Sequence, residues 1–99
     1  MSKFNRYKFT KKIYPDYIVL LTRKEKYITF DIDLKLINYL DLNEDISTLE
    51  NLHINYVILD DLEIIDIKKY DDNKYENYCL KMGLTKIIKK LGNKLMEYY

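Results

Sequence analysis

Tryptophan is absent from this chain, cysteine, histidine and proline occur once each (Cys79, His53, Pro15), and there are two glycines, Gly83 and Gly92. A single cysteine forms no internal disulfide, which agrees with a reducing compartment. A single histidine leaves any Ser-His-Asp or Cys-His site dependent on that one residue for all its base chemistry. One Cys and one His assemble no zinc site without carboxylates, and two isolated glycines build neither a Walker nor a Rossmann phosphate loop. No cofactor is therefore expected. The longest apolar run, Tyr17 to Leu21, is far short of the roughly 20 residues of a membrane span. The opening MSKFNRYKFTKK is basic but has no apolar segment or small-residue cleavage site behind it, unlike a secretory signal. The expectation is a cytoplasmic protein of a bacterial cell, native or infected. The wealth of Asn, Lys, Ile and Tyr speaks of AT-rich coding DNA and not of an activity.

With 99 residues, 47% of them hydrophobic and 14% aromatic, the chain is expected to form one domain around one core, residues 1–99. Its 33% charged residues sum to only +1, unlike the high net charge of a disordered chain. That balance hides three blocks: eight basic and two acidic residues over 1–30, three and twelve over 31–72, six and two over 73–99. The plain reading is solvated surface. The sharper one is a basic patch built from both ends, with an acidic face opposite.

Tyr17 to Thr22 and Tyr27 to Asp31 are β-branched and aromatic runs separated by Arg23-Lys24-Glu25-Lys26, a hairpin with a charged turn. Alternation puts Ile28 and Phe30 on the core face of its second strand and Tyr27, Thr29 and Asp31 on a wet one. Asp31 or Asp33 then caps a helix carrying Leu34, Ile37 and Leu40, which ends near Asn43. A second short helix is read over Glu44 to Leu52. The nearly continuous apolar run Ile54 to Leu59 is a central strand, and Leu62 to Lys68 is a fourth strand antiparallel to it. Asp71-Asp72-Asn73 caps a C-terminal helix over 73–99, docked by a stripe of Leu80, Leu84, Ile87, Ile88, Leu91, Leu95 and Tyr98. Residues 1–12 are a basic arm or a short helix. The fold class is α+β: a small mixed sheet of about four strands starting with a β-hairpin, packed by two short helices and a C-terminal helix.

The stretch YPDYIVLLTRKEKYITFDIDLKLINYL, Tyr14 to Leu40, resembles the start of the N-terminal mismatch-recognition domain of the DNA mismatch-repair protein MutS. There a hydrophobic strand, a tight turn and a second strand reading roughly LVLFRVGDFYELFGEDA lead into a helix. The family's first strand falls on Ile18 to Leu21, its Tyr on Tyr27, the next Phe on Phe30 and its Asp on Asp33. Ile54 to Leu59 then resembles the later strand that follows the domain's second helix, so the resemblance covers about half the chain and implies a DNA-contacting scaffold. The family's Phe-x-Glu mismatch probe falls on Lys26 and Ile28 and its turn glycine on Lys24. Lysine does not stack as phenylalanine does and isoleucine accepts no hydrogen bond, so the mismatch readout does not carry over.

Of the remaining residue types, Cys79 reads as a small buried hydrophobe and His53 as helix-end surface. A nuclease-like set, Asp16 with Asp66-Ile67-Lys68, is the best enzymatic case, but short D-x-K matches are common in a chain so rich in Asp and Lys. Eleven tyrosines interleaved with lysines suit a surface that stacks bases and neutralises phosphates, and equally suit half-buried packing in a chain without tryptophan. The expectation is a non-catalytic module that contacts nucleic acid, or a protein that handles it, through Lys8, Lys11, Lys12, Arg23, Lys24, Lys26 and Tyr27. The alternative is an inhibitor encoded by a phage or mobile element, of the anti-defence kind, which engages a host nuclease complex through Asp60, Asp61 and Glu63 in the acidic segment.

Overall fold

The computed structural model describes residues 2–41, 46–61 and 63–84. Its elements run α1 (Lys3–Ile13), β1 (Ile18–Arg23), β2 (Lys26–Ile28), α2 (Asp31–Tyr39), α3 (Ile46–Asn51), β3 (Tyr56–Asp60) and β4 (Glu63–Lys68), followed by a C-terminal helix described over residues 75–84. The strands form one mixed sheet in the order β2-β1-β3-β4. β1 and β3 are parallel and central, and β2 and β4 are antiparallel edges. The class is α+β, as the sequence implies.

β1 and β3 are almost wholly buried because helices cover both faces of the sheet. On one face Ile18, Leu20, Tyr56 and Ile58 pack against Leu36 of α2, Leu49 of α3, Ile54 and Tyr75. On the other, Val19, Leu21, Val57 and Leu59 pack with Tyr17 under Tyr7 of α1. Strands buried on both sides read as continuous apolar runs, which is the pattern of IVLL and YVIL.

Of the two expectations for the N-terminal segment, a basic arm or a short helix, the helix is found: α1 is capped by the Ser2 hydroxyl, which accepts from the Asn5 amide at 3.1 Å. It sits on the sheet through Tyr7 and Thr10 and leaves Phe9 and Ile13 exposed. Several other expectations need correction. The second strand stops at Ile28, and the chain turns at Asp31 (φ 49°) into α2. Phe30 therefore belongs to the helix start, where it packs half-buried against Phe4 and Tyr7 at ring distances of 5.3 and 5.6 Å. Neither Asp31 nor Asp33 caps α2: Phe30 is the N-cap residue and makes no side-chain cap bond. The wet face fails as well, since Thr29 is buried and the α2–α3 layer covers that side. The C-terminal helix docks through Tyr75, Tyr78, Cys79 and Met82, a stripe at the same helical spacing as the anticipated one, while Leu80 and Leu84 are exposed. Its anticipated start is right in kind, because Asn73 Oδ1 accepts the Tyr75 amide at 3.2 Å. The rest of the stripe, the Gly92 position and residues 42–45 lie outside the described residues.

The short β2 has a consequence for β1. It pairs only with Leu21, Thr22 and Arg23, so the backbone groups of Tyr17 and Val19 on that edge need other partners. Side chains supply them. The Val19 amide donates to Asp33 Oδ2 at 3.0 Å, the Thr29 hydroxyl donates to the Val19 carbonyl at 2.7 Å, and Lys11 donates to the Tyr17 carbonyl. Asp33, fully buried, also accepts from Lys11 Nζ at 2.9 Å and from the Tyr75 hydroxyl at 2.7 Å. α1, β1, α2 and the C-terminal helix thus meet at one carboxylate.

Two tyrosines at this carboxylate, and Tyr56 beside Glu50, are sensitive to alkaline pH. Burial first, then the Asp33 carboxylate, raises the hydroxyl pKa values of Tyr7 and Tyr75 above the usual 10.0; burial and the hydrogen bond to Glu50 raise that of Tyr56. A pKa raised on folding adds stability that is complete below the unfolded value and is lost as pH climbs above it. Burial also raises the pKa values of the Tyr70 hydroxyl and the Cys79 thiol, which act in the same sense, whereas it lowers the Lys11 pKa, the one group among the described residues that acts in the opposite sense at alkaline pH. The midpoint of urea unfolding is therefore expected to fall between about pH 9.5 and 11.5, about the ordinary tyrosine pKa near 10. Tyr7→Phe, which removes one of these hydroxyls, should make that fall shallower, and an unchanged slope would contradict the assignment.

Candidate nucleic-acid interface

The β1–β2 turn is two residues long, and both, Lys24 (φ 47°) and Glu25 (φ 61°), have left-handed backbones. That is the signature of a type I′ hairpin turn, whose twist matches the strands and which glycine or asparagine makes with least strain. The turn carries exposed Arg23, Lys24 and Lys26, with Tyr27 half-buried behind them. Together with Ile28 these residues line one shallow concavity of about 310 Å³. Cations with an aromatic side chain beside them can bind a phosphate and stack a flat base.

α1 lies alongside. Lys3 Nζ donates to the Thr22 carbonyl at 2.7 Å near its start, and Lys11 reaches the Tyr17 carbonyl near its end, so the helix runs antiparallel to β1. Lys8 and Lys12 are exposed one turn apart, beside a second concavity of about 240 Å³ that also involves Asp31 and Ile32. Lys8 Nζ lies 5.2 Å from the centre of the Phe4 ring. Lys11 differs from its neighbours: it turns inward to Asp33 and lies 4.3 Å from the centre of the Tyr75 ring. The anticipated set thus divides into Arg23, Lys24, Lys26 and Tyr27 at the hairpin tip, Lys8 and Lys12 on α1, and Lys11 inside.

The acidic turn is not on an opposite face. Because β1 and β3 are parallel with Leu21 beside Leu59, their C-terminal ends point the same way, and the Thr22 hydroxyl donates to Asp60 Oδ1 at 2.6 Å. Asp60, at the end of β3, therefore stands about one strand spacing from the end of β1, Asp61 follows it in the turn, and Glu63 on β4 stands about two spacings away. The basic residues beyond 84 lie outside the described residues.

One pairing escaped the sequence. His53 Nδ1 lies 2.9 Å from both oxygens of Asp72, and its ring stacks on Tyr70 at 4.9 Å. The hydrogen bond to His53 lowers the Asp72 pKa. The pair opens on a cleft of about 440 Å³ shared with Lys74, Tyr78 and Lys81. Asp72 stands 19 residues from His53 in a segment whose composition signals only a helix cap, so no local pattern joins them. Elsewhere, burial raises the Cys79 thiol pKa, which keeps it protonated. Asp16 leads into β1 while Asp66 lies on β4, with β3 between those two strands, and among the described residues no three His, Cys, Asp or Glu side chains form a metal-holding group. No helix among the described residues is long and apolar enough to cross a membrane.

Set against family models, curated proteins and solved structures, the chain matches none of them.

The left-handed turn yields a stability test. Replacing Glu25 by glycine relieves a strained backbone, so Glu25→Gly should stabilise the protein by about 1 kcal/mol. Equilibrium urea unfolding would show it, and a loss of stability would contradict the turn geometry.

Proposed function

We propose that this chain is a non-catalytic binding module that contacts nucleic acid, or a protein that handles it, through the hairpin tip and the outer face of α1. The observation that carries this reading is the concavity at the hairpin tip that Arg23, Lys24 and Lys26 line together with Tyr27 and Ile28. The roles are distinct: the lysines and the arginine neutralise phosphates, Tyr27 offers a ring edge or face to a base, and Lys8 and Lys12 extend the basic track along α1. Lys11 serves the interior. The resemblance to the MutS mismatch-recognition domain supports a nucleic-acid partner and not its mismatch chemistry, because exposed Lys26 and half-buried Ile28 occupy the probe positions.

The neighbouring acids set the strength. Two carboxylates beside the basic turn oppose a polyanion, so binding should be weak and confined to low salt. The same acids support the second reading, an inhibitor that offers Asp60, Asp61 and Glu63 to a basic protein.

Fluorescence anisotropy with short single- and double-stranded oligonucleotides over a salt series separates the two. Affinity for duplex should fall with a log-log slope of about −0.9 per phosphate contact, and Lys24→Ala with Lys26→Ala should flatten it by about 2. Asp60→Asn with Asp61→Asn should tighten nucleic-acid binding about threefold to tenfold at low salt, since it removes two repulsive charges. Absence of salt-sensitive association with any DNA or RNA would overturn the nucleic-acid reading. The inhibitor reading demands the opposite sign, loss of binding to a basic protein in that same double variant.

A further inference from the structure

β4 is an open edge. All six of its residues are exposed, among them Ile64, Ile65 and Ile67 at 47, 55 and 44%. Natural edge strands are usually short, charged or covered, because unpaired amides and carbonyls invite another strand. Three exposed isoleucines on such an edge are the reverse of that protection.

The register of β4 on β3 decides what fits there. Paired residues share a face of the sheet. Ile64 pairs with Leu59 and Ile67 with Val57, so both isoleucines stand on the α1 side. Glu63 pairs with Asp60, Asp66 with Ile58 and Lys68 with Tyr56, on the opposite side. In an unbroken strand residues 64 and 67 would fall on opposite faces, as would 63 and 68. The irregularity opposite Ile58 and Leu59 leaves Ile65 as the extra residue, and a bulge of this kind resets the alternation. The strand Glu-Ile-Ile-Asp-Ile-Lys consequently reads the same from both ends: a charge, then an isoleucine on the α1 side, with the charges opposite in sign.

We propose that β4 pairs antiparallel with β4 of a second copy of this chain, about a two-fold axis between Ile65 and Asp66, to make a continuous eight-stranded sheet. Glu63 then faces Lys68 of the second copy, and Ile64 faces Ile67 of the second copy, each twice by symmetry. Two ion pairs form on one face and a cluster of four isoleucines on the other. Opposite charges and apolar groups directly across a strand pair both stabilise it, whereas like charges there oppose it. The contact is one strand wide, so the dimer is of the weak class, dissociating on the order of micromolar concentrations. An unrelated strand would lack this self-complementarity, and the charge swap exposes the difference.

Sedimentation equilibrium of the full chain over a wide loading range, with thermal melts to confirm folding, tests the proposal. The wild-type chain should show a monomer–dimer equilibrium. Glu63→Lys and Lys68→Glu should each weaken it about tenfold or more, since each sets like charges across the axis, and the double reversal should restore it to within about threefold. Ile67→Thr, which keeps a β-branched side chain, should weaken dimerisation without touching charge. A chain that stays monomeric at the highest loading would overturn the proposal, as would a dimer indifferent to these substitutions or a double reversal that fails to rescue.

Discussion

The unpaired edge of β1 governs the rest of this structure. β2 covers only the last three residues of its neighbour, and a buried strand cannot leave amides and carbonyls without partners. Asp33, Thr29 and Lys11 complete the ladder in place of a strand. Burying the Asp33 charge is costly unless it is paired and fully hydrogen-bonded, and Lys11, Tyr75 and the Val19 amide meet that requirement. The same contacts fix where α1, α2 and the C-terminal helix sit.

That arrangement shapes the surface. Lys11 is drawn inward, so α1 is anchored with its exposed lysines, Lys8 and Lys12, along the outside and its first turn against the hairpin. The parallel pairing of β1 and β3 brings the basic and acidic turns to one end of the sheet. A chain with nearly balanced charge therefore presents a mixed-sign tip, and the proposed contact with nucleic acid depends on local geometry more than on a broad field. The ends of β1 and β3 at that tip are tied down, by Lys3 on Thr22 and Thr22 on Asp60, which gives the exposed turn a fixed base.

Much of the fold was legible in the sequence because its strands obey simple patterns. The hairpin, the central run before Leu59, the antiparallel fourth strand and the two middle helices follow from periodicity and turn residues. α1 was legible only as a basic arm or a short helix because its pattern is inverted: Phe9 and Ile13 face outward while Lys11 faces in. A lysine on the buried stripe of a helix carries no local signal, since its partner Asp33 is 22 residues away. The parallel pairing of β1 with β3, the bulge at Ile65 and the His53–Asp72 contact are likewise long-range facts. The hairpin cluster of Arg23, Lys24, Lys26 and Tyr27 was readable as one site because the residues are contiguous. Its proximity to Asp60 was not, because that depends on strand order.

The measurement closest to the centre of this account is a double-mutant cycle on Lys11 and Asp33 by equilibrium urea unfolding. Lys11→Met leaves the buried carboxylate without its cation, and Asp33→Asn leaves the buried ammonium without its anion, so each should cost about 3 kcal/mol or more. Together they remove both charges, and the double variant should lose little beyond either single one, giving a coupling energy of about 2 to 3 kcal/mol. Costs that simply add, to within about 0.5 kcal/mol, would show that the two residues act independently and that the edge of β1 is held by something else.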